Sequence, residues 1–168
     1  MISFTVFIAF AAFSSAFTLP LTGINEVASL VSSADCTFYT ALNTLLQCGP
    51  TSHLMQYSFK YCQRLVAARD TFDNTQYQDD ARQCLQQKLV EKIQQAGEAA
   101  ITCDSFKKMD LDSHQTCLAA SFKQLSAKDV EQFIAIFKDT TVNYGELCRL
   151  ANSFAGHWSM SLYIIVAE

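Results

Sequence analysis

Seven cysteines, Cys36, Cys48, Cys62, Cys84, Cys103, Cys117 and Cys148, are spread along 168 residues, and no two are closer than twelve positions. Zinc sites of the Cys-x-x-Cys or His-x-x-x-His kind need close ligand pairs, so this spacing points away from metal ligation and towards disulfides. Neither a metal nor a cofactor is expected. Disulfides require an oxidising compartment, and the start of the chain supplies the route to one. Residues 1–16 are an apolar run, Met1-Ile2-Ser3-Phe4-Thr5-Val6-Phe7-Ile8-Ala9-Phe10-Ala11-Ala12-Phe13, closed by the small residues Ser14-Ser15-Ala16. The run is shorter than the roughly 18 to 20 residues of a membrane span and ends on a good peptidase site, so it reads as a signal peptide cleaved after Ala16. The mature chain is expected to be secreted, extracellular and without an integral membrane span.

Half of the residues are apolar and 17% are charged, enough for a hydrophobic core, and the length suits one domain over residues 17–168. The net charge of −4 comes without a block of lysines or arginines, which argues against a nucleic-acid partner.

The periodicity is helical throughout, and the expected fold is all-α, a disulfide-stapled bundle of antiparallel helix hairpins. Ala34 to Gln47 carries Phe38, Ala41, Leu45 and Leu46 on one side and stops at Gly49-Pro50. A second helix is expected from about Ser52 to Asp70, with Leu54, Tyr57, Tyr61, Leu65 and Ala68 on one face, and a third from about Tyr77 to Gly97. The third opens on Gln78-Asp79-Asp80 and buries Ala81, Cys84, Leu85, Leu89, Ile93 and Ala96. Asp110 or Asp112 is placed as the cap of a helix running through Gln124, and Ser126 with Asp129 as a capping box for the next, carrying Phe133, Ile134 and Phe137. A last helix is expected over Thr141 to Phe154, followed by an apolar tail, Trp158 to Ala167, laid against the bundle or free to meet a partner.

Residues equidistant from a short turn lie side by side in a helical hairpin. Cys36 and Cys62 have their midpoint at residue 49, on Gly49-Pro50, and Cys84 and Cys117 have theirs just after Gly97. This ranks those two bridges first and leaves Cys48 for Cys103. A rival stays open, because Cys62 and Cys84 have their midpoint at Asp73, in the turn signal Asp73-Asn74-Thr75. Cys148 is left over, either as a buried free thiol or as the bridge of a disulfide-linked homodimer.

The stretch Cys103-Asp104-Ser105-Phe106-Lys107-Lys108-Met109, then seven residues and Cys117, resembles the stanniocalcins, whose motif reads Cys-Ser-Thr-Phe-Gln-Arg-Met with the same interval to its cysteine. Phe72-Asp73, ten and eleven residues after Cys62, and the pair Ala67-Ala68 are similar to the family's Phe-Asp-Thr-Gln and alanine pair. The resemblance covers Cys36 to Cys117. It implies a helical secreted hormone-type factor with the pairing Cys36–Cys62, Cys48–Cys103 and Cys84–Cys117. It also implies a protein receptor or a secreted protease as partner, and calcium and phosphate homeostasis as the setting. The glycosylation acceptor of vertebrate members is missing, since Asn25, Asn43, Asn74, Asn143 and Asn152 all fail Asn-x-Ser/Thr.

Catalysis is not expected. Asp112-Ser113-His114 holds the residue types of a triad, but sequence neighbours diverge around a helix and cannot form serial hydrogen bonds, so it reads as a capped helix start with a surface histidine. His53 and His157 stand alone, Lys107-Lys108 is a solvated doublet, and Asp79, Asp80, Asp110 and Asp112 lack the spacing of a calcium loop. The alternative to protein recognition is a carrier for a small apolar ligand, suggested by thirteen phenylalanines in a stapled helical chain.

Overall fold

The computed structural model describes residues 21–96, 101–122 and 125–137. The expected leader, the expected helix Thr141 to Phe154, Cys148, His157 and the apolar tail lie outside the described residues. Within them the chain is helical and contains no strand. Helix α1 is Leu21–Ser29, extended by a 3₁₀ turn, Leu30–Ser33, and α2 is Thr37–Leu46. A π-helical segment, Leu54–Phe59, runs straight into α3, Lys60–Ala67, and a 3₁₀ turn, Arg69–Thr71, follows. Then come α4, Thr75–Ala96; α5, Cys103–Phe122; and α6, Ala127–Phe137. Helix α1 precedes the first expected helix, and it docks through Ile24 and Val27. A Cβ at Gly23 would stand 2.7 Å from a terminal methyl of Leu45, so α1 approaches α2 closely at this position.

Local hydrogen bonds fix where each helix begins and ends. Helix α2 starts at Thr37 rather than Ala34, with the carboxylate of Asp35 accepting the Thr37 N–H at 2.8 Å. It stops where Gln47 adopts a left-handed φ of 54° and Cys48 N–H returns to the Asn43 carbonyl at 3.2 Å. Its buried face is Phe38, Tyr39, Leu42 and Leu46; Ala41 and Leu45 are only half-buried at its flank. Helix α4 begins two residues before the expected Tyr77, because Asn74 accepts the Tyr77 N–H at 3.2 Å and caps it.

Helix α5 departs most from expectation. It begins at Cys103, not at Asp110 or Asp112, because Thr102 and Ser105 cap one another reciprocally. Ser105 N–H donates to Thr102 Oγ1 at 3.1 Å and Thr102 N–H to Ser105 Oγ at 2.9 Å. Asp110 therefore falls two turns inside the helix. Ser126 does cap α6, through the Asp129 N–H at 3.1 Å. The Asp129 carboxylate instead accepts the N–H groups of Asp73 and Asn74, at 2.6 and 3.2 Å, and so ties the start of α6 to the turn before α4.

Disulfides join Cys36 to Cys62, Cys48 to Cys103 and Cys84 to Cys117. Cys62 is thus not paired with Cys84. Helices α4 and α5 are antiparallel, since Lys92 Nζ reaches the Met109 carbonyl eight residues along each strand of the hairpin from Cys84 and Cys117. The first hairpin folds α2 back against the π-helical segment, the Cys36–Cys62 bridge ties the start of α2 to α3, and the Cys48–Cys103 bridge links the hairpin tip to the start of α5. Two apolar clusters fill the bundle. One gathers Phe38, Leu42, Leu46, Leu54, Leu89, Ile93 and Phe106, and the other gathers Tyr61, Leu65, Tyr77, Leu118, Phe133 and Phe137. No helix among the described residues is long and apolar enough to cross a membrane.

The Cys84–Cys117 bridge closes a loop of separation 33. Restricting the unfolded chain by such a loop is worth about 3 to 4 kcal/mol. A Cys84→Ser/Cys117→Ser double variant should lose that much in urea unfolding while keeping its helical circular dichroism at 25 °C; unchanged stability would contradict the entropic staple.

Candidate functional site

Between the two apolar clusters lies a buried carboxylate. Asp110, on α5, has no solvent exposure. Its Oδ2 accepts one hydrogen bond from His53 Nε2 at 2.8 Å and another from Ser58 Oγ at 2.8 Å. On the same helix, His114 contacts it from one turn away, its Nδ1 lying 2.7 Å from the Asp110 carbonyl oxygen and 3.8 Å from Oδ1. A carbonyl oxygen carries no proton, so His114 Nδ1 is the donor.

The π-helical segment explains how His53 and Ser58 meet a single oxygen. Residues five apart on an α-helix are separated by about 140° and cannot share a partner. A π-helix closes its hydrogen bonds at the fifth residue, which brings such residues onto one face. The spacing 53–58 is invisible to a search for helical stripes. Ser52 starts this segment, accepting the Met55 N–H at 3.3 Å and donating to Asn43 Oδ1 at 2.6 Å, so the turn after α2 sets where His53 begins.

Aromatic rings enclose the site. His53 stacks on Tyr57 with centroids 4.8 Å apart, and Tyr57 also meets Tyr61 and His114. Burial drives the Tyr39 phenol well above its ordinary pKa, and the negative charge of Asp110 adds to the rise. For Asp110 itself, burial acts to raise the carboxyl pKa. The charge of His114, the hydrogen bond and charge of His53 and the hydrogen bond from Ser58 outweigh it, and the net direction is downward from 3.8. Asp110 is therefore ionised at neutral pH, and His53 Nε2 carries the proton it shares.

Several expectations are corrected here. His53 does stand at a helix start, as expected, but it is not isolated, and His114 is buried and not on the surface; both converge on one carboxylate. Asp112-Ser113-His114 is not a helix start, and Ser113 turns back to the Met109 carbonyl at 2.7 Å. Asp79 bonds Arg69 and Arg82, and Lys107-Lys108 is exposed. Arg82, Gln78 and Gln86 form a buried polar row on α4, with Gln86 Nε2 donating to the Asp35 carbonyl at 2.8 Å. Their spacing of four beside the apolar stripe is the one sequence signal that marks them. Among the described residues no group of three or more His, Cys, Asp and Glu side chains is arranged to hold a metal ion.

Chemically the arrangement is a fork. In a serine nucleophile's relay the hydroxyl bonds one imidazole nitrogen and the carboxylate bonds the other. Here Ser58 and His53 both donate to Asp110 Oδ2, so the serine proton points at the carboxylate and away from the imidazole. The fork clamps α5 to the second limb of the first hairpin. Among protein-family models, curated proteins and solved structures, none matches this chain.

Hydrogen bonds to a charged group are worth about 1.5 to 3 kcal/mol each, and leaving their buried partners unpaired costs more. Asp110→Asn should therefore lose about 2 to 4 kcal/mol at pH 7 in urea unfolding. The pH dependence has a defined sign. A carboxyl held below its ordinary value of 3.8 contributes fully above that value, and the contribution fades as pH falls through the lower folded-state value. Asp73 and Glu91 are lowered too, by Lys128 and Ser126 and by Lys88, but Asp73 is exposed, Glu91 is half-exposed, and both are screened by solvent. The readout is thus the difference between proteins: the melting temperature of Asp110→Asn should fall less steeply below pH 4 than that of the native chain. Equal acid slopes would rule out an ionised clamp.

Proposed function

We propose that this chain is a secreted, stanniocalcin-like factor that acts by recognising a protein, either a receptor or a secreted protease that it restrains, and not by catalysis. The observation that carries this reading is the bridge order. Among the six paired cysteines the first joins the third, the second the fifth and the fourth the sixth, which is the order the resemblance implies. The motif Cys103 to Cys117 also lies wholly on α5, and both of its cysteines are bridged to other helices. Three bridges within one chain suit an extracellular scaffold. The forked geometry at Asp110 supports binding over catalysis, since it pairs Ser58 with a low-pKa carboxylate and not with an imidazole base. Calcium and phosphate homeostasis is the setting this reading carries with it.

The test is expression of the full chain in secretory cells. The medium should contain a protein beginning at Phe17 that slows cleavage of a protein substrate by a secreted metalloprotease, or binds a cell-surface receptor saturably, and loses this on reduction. Retention in the cell with the leader attached would overturn secretion. A tightly held lipid without either activity would turn the reading towards an apolar carrier. For the homodimer, non-reducing electrophoresis should give a dimer band for the native protein and a monomer for Cys148→Ser; monomer in both disposes of an intermolecular bridge.

A further inference from the structure

A small cavity sits at the seam between the apolar clusters, next to the clamp. Its free volume is about 20 Å³. Tyr39, Ser58, Arg82 and His114 supply its polar wall, and Leu65, Leu85 and other apolar side chains line the rest. One water needs roughly 10 to 15 Å³ of such space and two to four polar partners, so the cavity has room for a single molecule.

Arg82 supplies the demand. Its side chain is more than nine-tenths buried; Nε donates to the Ala34 carbonyl at 3.4 Å and Nη2 to Asp79 Oδ1 at 2.6 Å. The remaining nitrogen, Nη1, is buried and has no hydrogen-bond partner. A guanidinium cannot shed its proton, so this N–H stays charged and needs an acceptor. Ser58 has already committed its own proton to Asp110 Oδ2, which leaves its lone pairs free to accept. The phenol of Tyr39, on the wall of the same cavity, senses both the Asp110 and the Arg82 charge.

We propose that the cavity is a binding site for one internal water, which accepts from Arg82 Nη1 and donates to Ser58 Oγ. The chain Arg82–water–Ser58–Asp110 then joins a buried cation on α4 to a buried anion on α5 through neutral links. A halide fits the volume but not the electrostatics. It would sit one hydrogen bond from the Asp110 carboxylate, with the Ser58 proton already directed away from it.

Two measurements on the native protein test this. A crystal structure at a resolution that reveals other buried waters should contain one peak within hydrogen-bond distance of Arg82 Nη1 and Ser58 Oγ, with no anomalous signal there after a bromide soak. An empty cavity, or a bromide peak in it, overturns the proposal. In solution, oxygen-17 relaxation dispersion should count one more long-lived internal water in the native protein than in Leu85→Phe, which fills the cavity from its apolar wall and leaves both polar partners in place. Equal counts in two folded proteins would also overturn it.

Discussion

The bridge between Cys48 and Cys103 puts two independently stapled hairpins into one frame. Each hairpin has its own disulfide, and only this one crosses between them. It also closes the longest loop of the three, with a separation of 55. From Cys103 the α5 helix rises two turns, about 10 Å, to reach Asp110. From Cys48 the chain turns at Gly49 and Pro50, restarts at Ser52 and arrives at His53. The bridge thus fixes the register in which His53 meets Asp110.

What the bridge places, the polar seam then checks. Along α5 the order is Phe106 in one apolar cluster, then Asp110, Ser113 and His114, then Leu118 in the other cluster. Along α4 the order runs the opposite way, from Ala81 through Arg82 and Gln86 to Leu89 and Ile93. An antiparallel pair in its correct register brings the two polar stretches to the same level. A slip of one turn would press Asp110 or Arg82 against aliphatic side chains. Breaking a buried charge pairing costs about 3 to 5 kcal/mol, more than an apolar core gains from tolerating a slip. The seam contributes little net stability compared with the apolar layers, and its effect is to make alternative registers expensive.

This division explains what the sequence made legible. Helical stripes and turn signals carry the apolar layers, and turn midpoints rank the bridges, because both depend only on local periodicity. Leu54, Tyr57, Tyr61 and Leu65 lie on the expected face for that reason. The seam depends on features with no such period. Asp110 reads as a cap because aspartate is a poor interior helix former, and only the reciprocal bonds of Thr102 and Ser105 move the helix start upstream. His53 and Ser58 share a partner only because their segment is π-helical. Helix α1 is not legible because its apolar residues Ile24, Val27 and Ala28 are few and Gly23, which packs close to a terminal methyl of Leu45, breaks their pattern.

The outer faces follow from the same economy. Of the large apolar side chains among the described residues, Val66 is the exposed one, at 45%. The described helices have used their apolar surface internally, so a partner that met these faces would do so by charge and hydrogen bonding, which govern partner choice and association rate more than affinity. A framework with three bridges and a register-checking seam suits that mode. Polar contacts are directional, and they discriminate only if the groups that make them are held in place before the partner arrives.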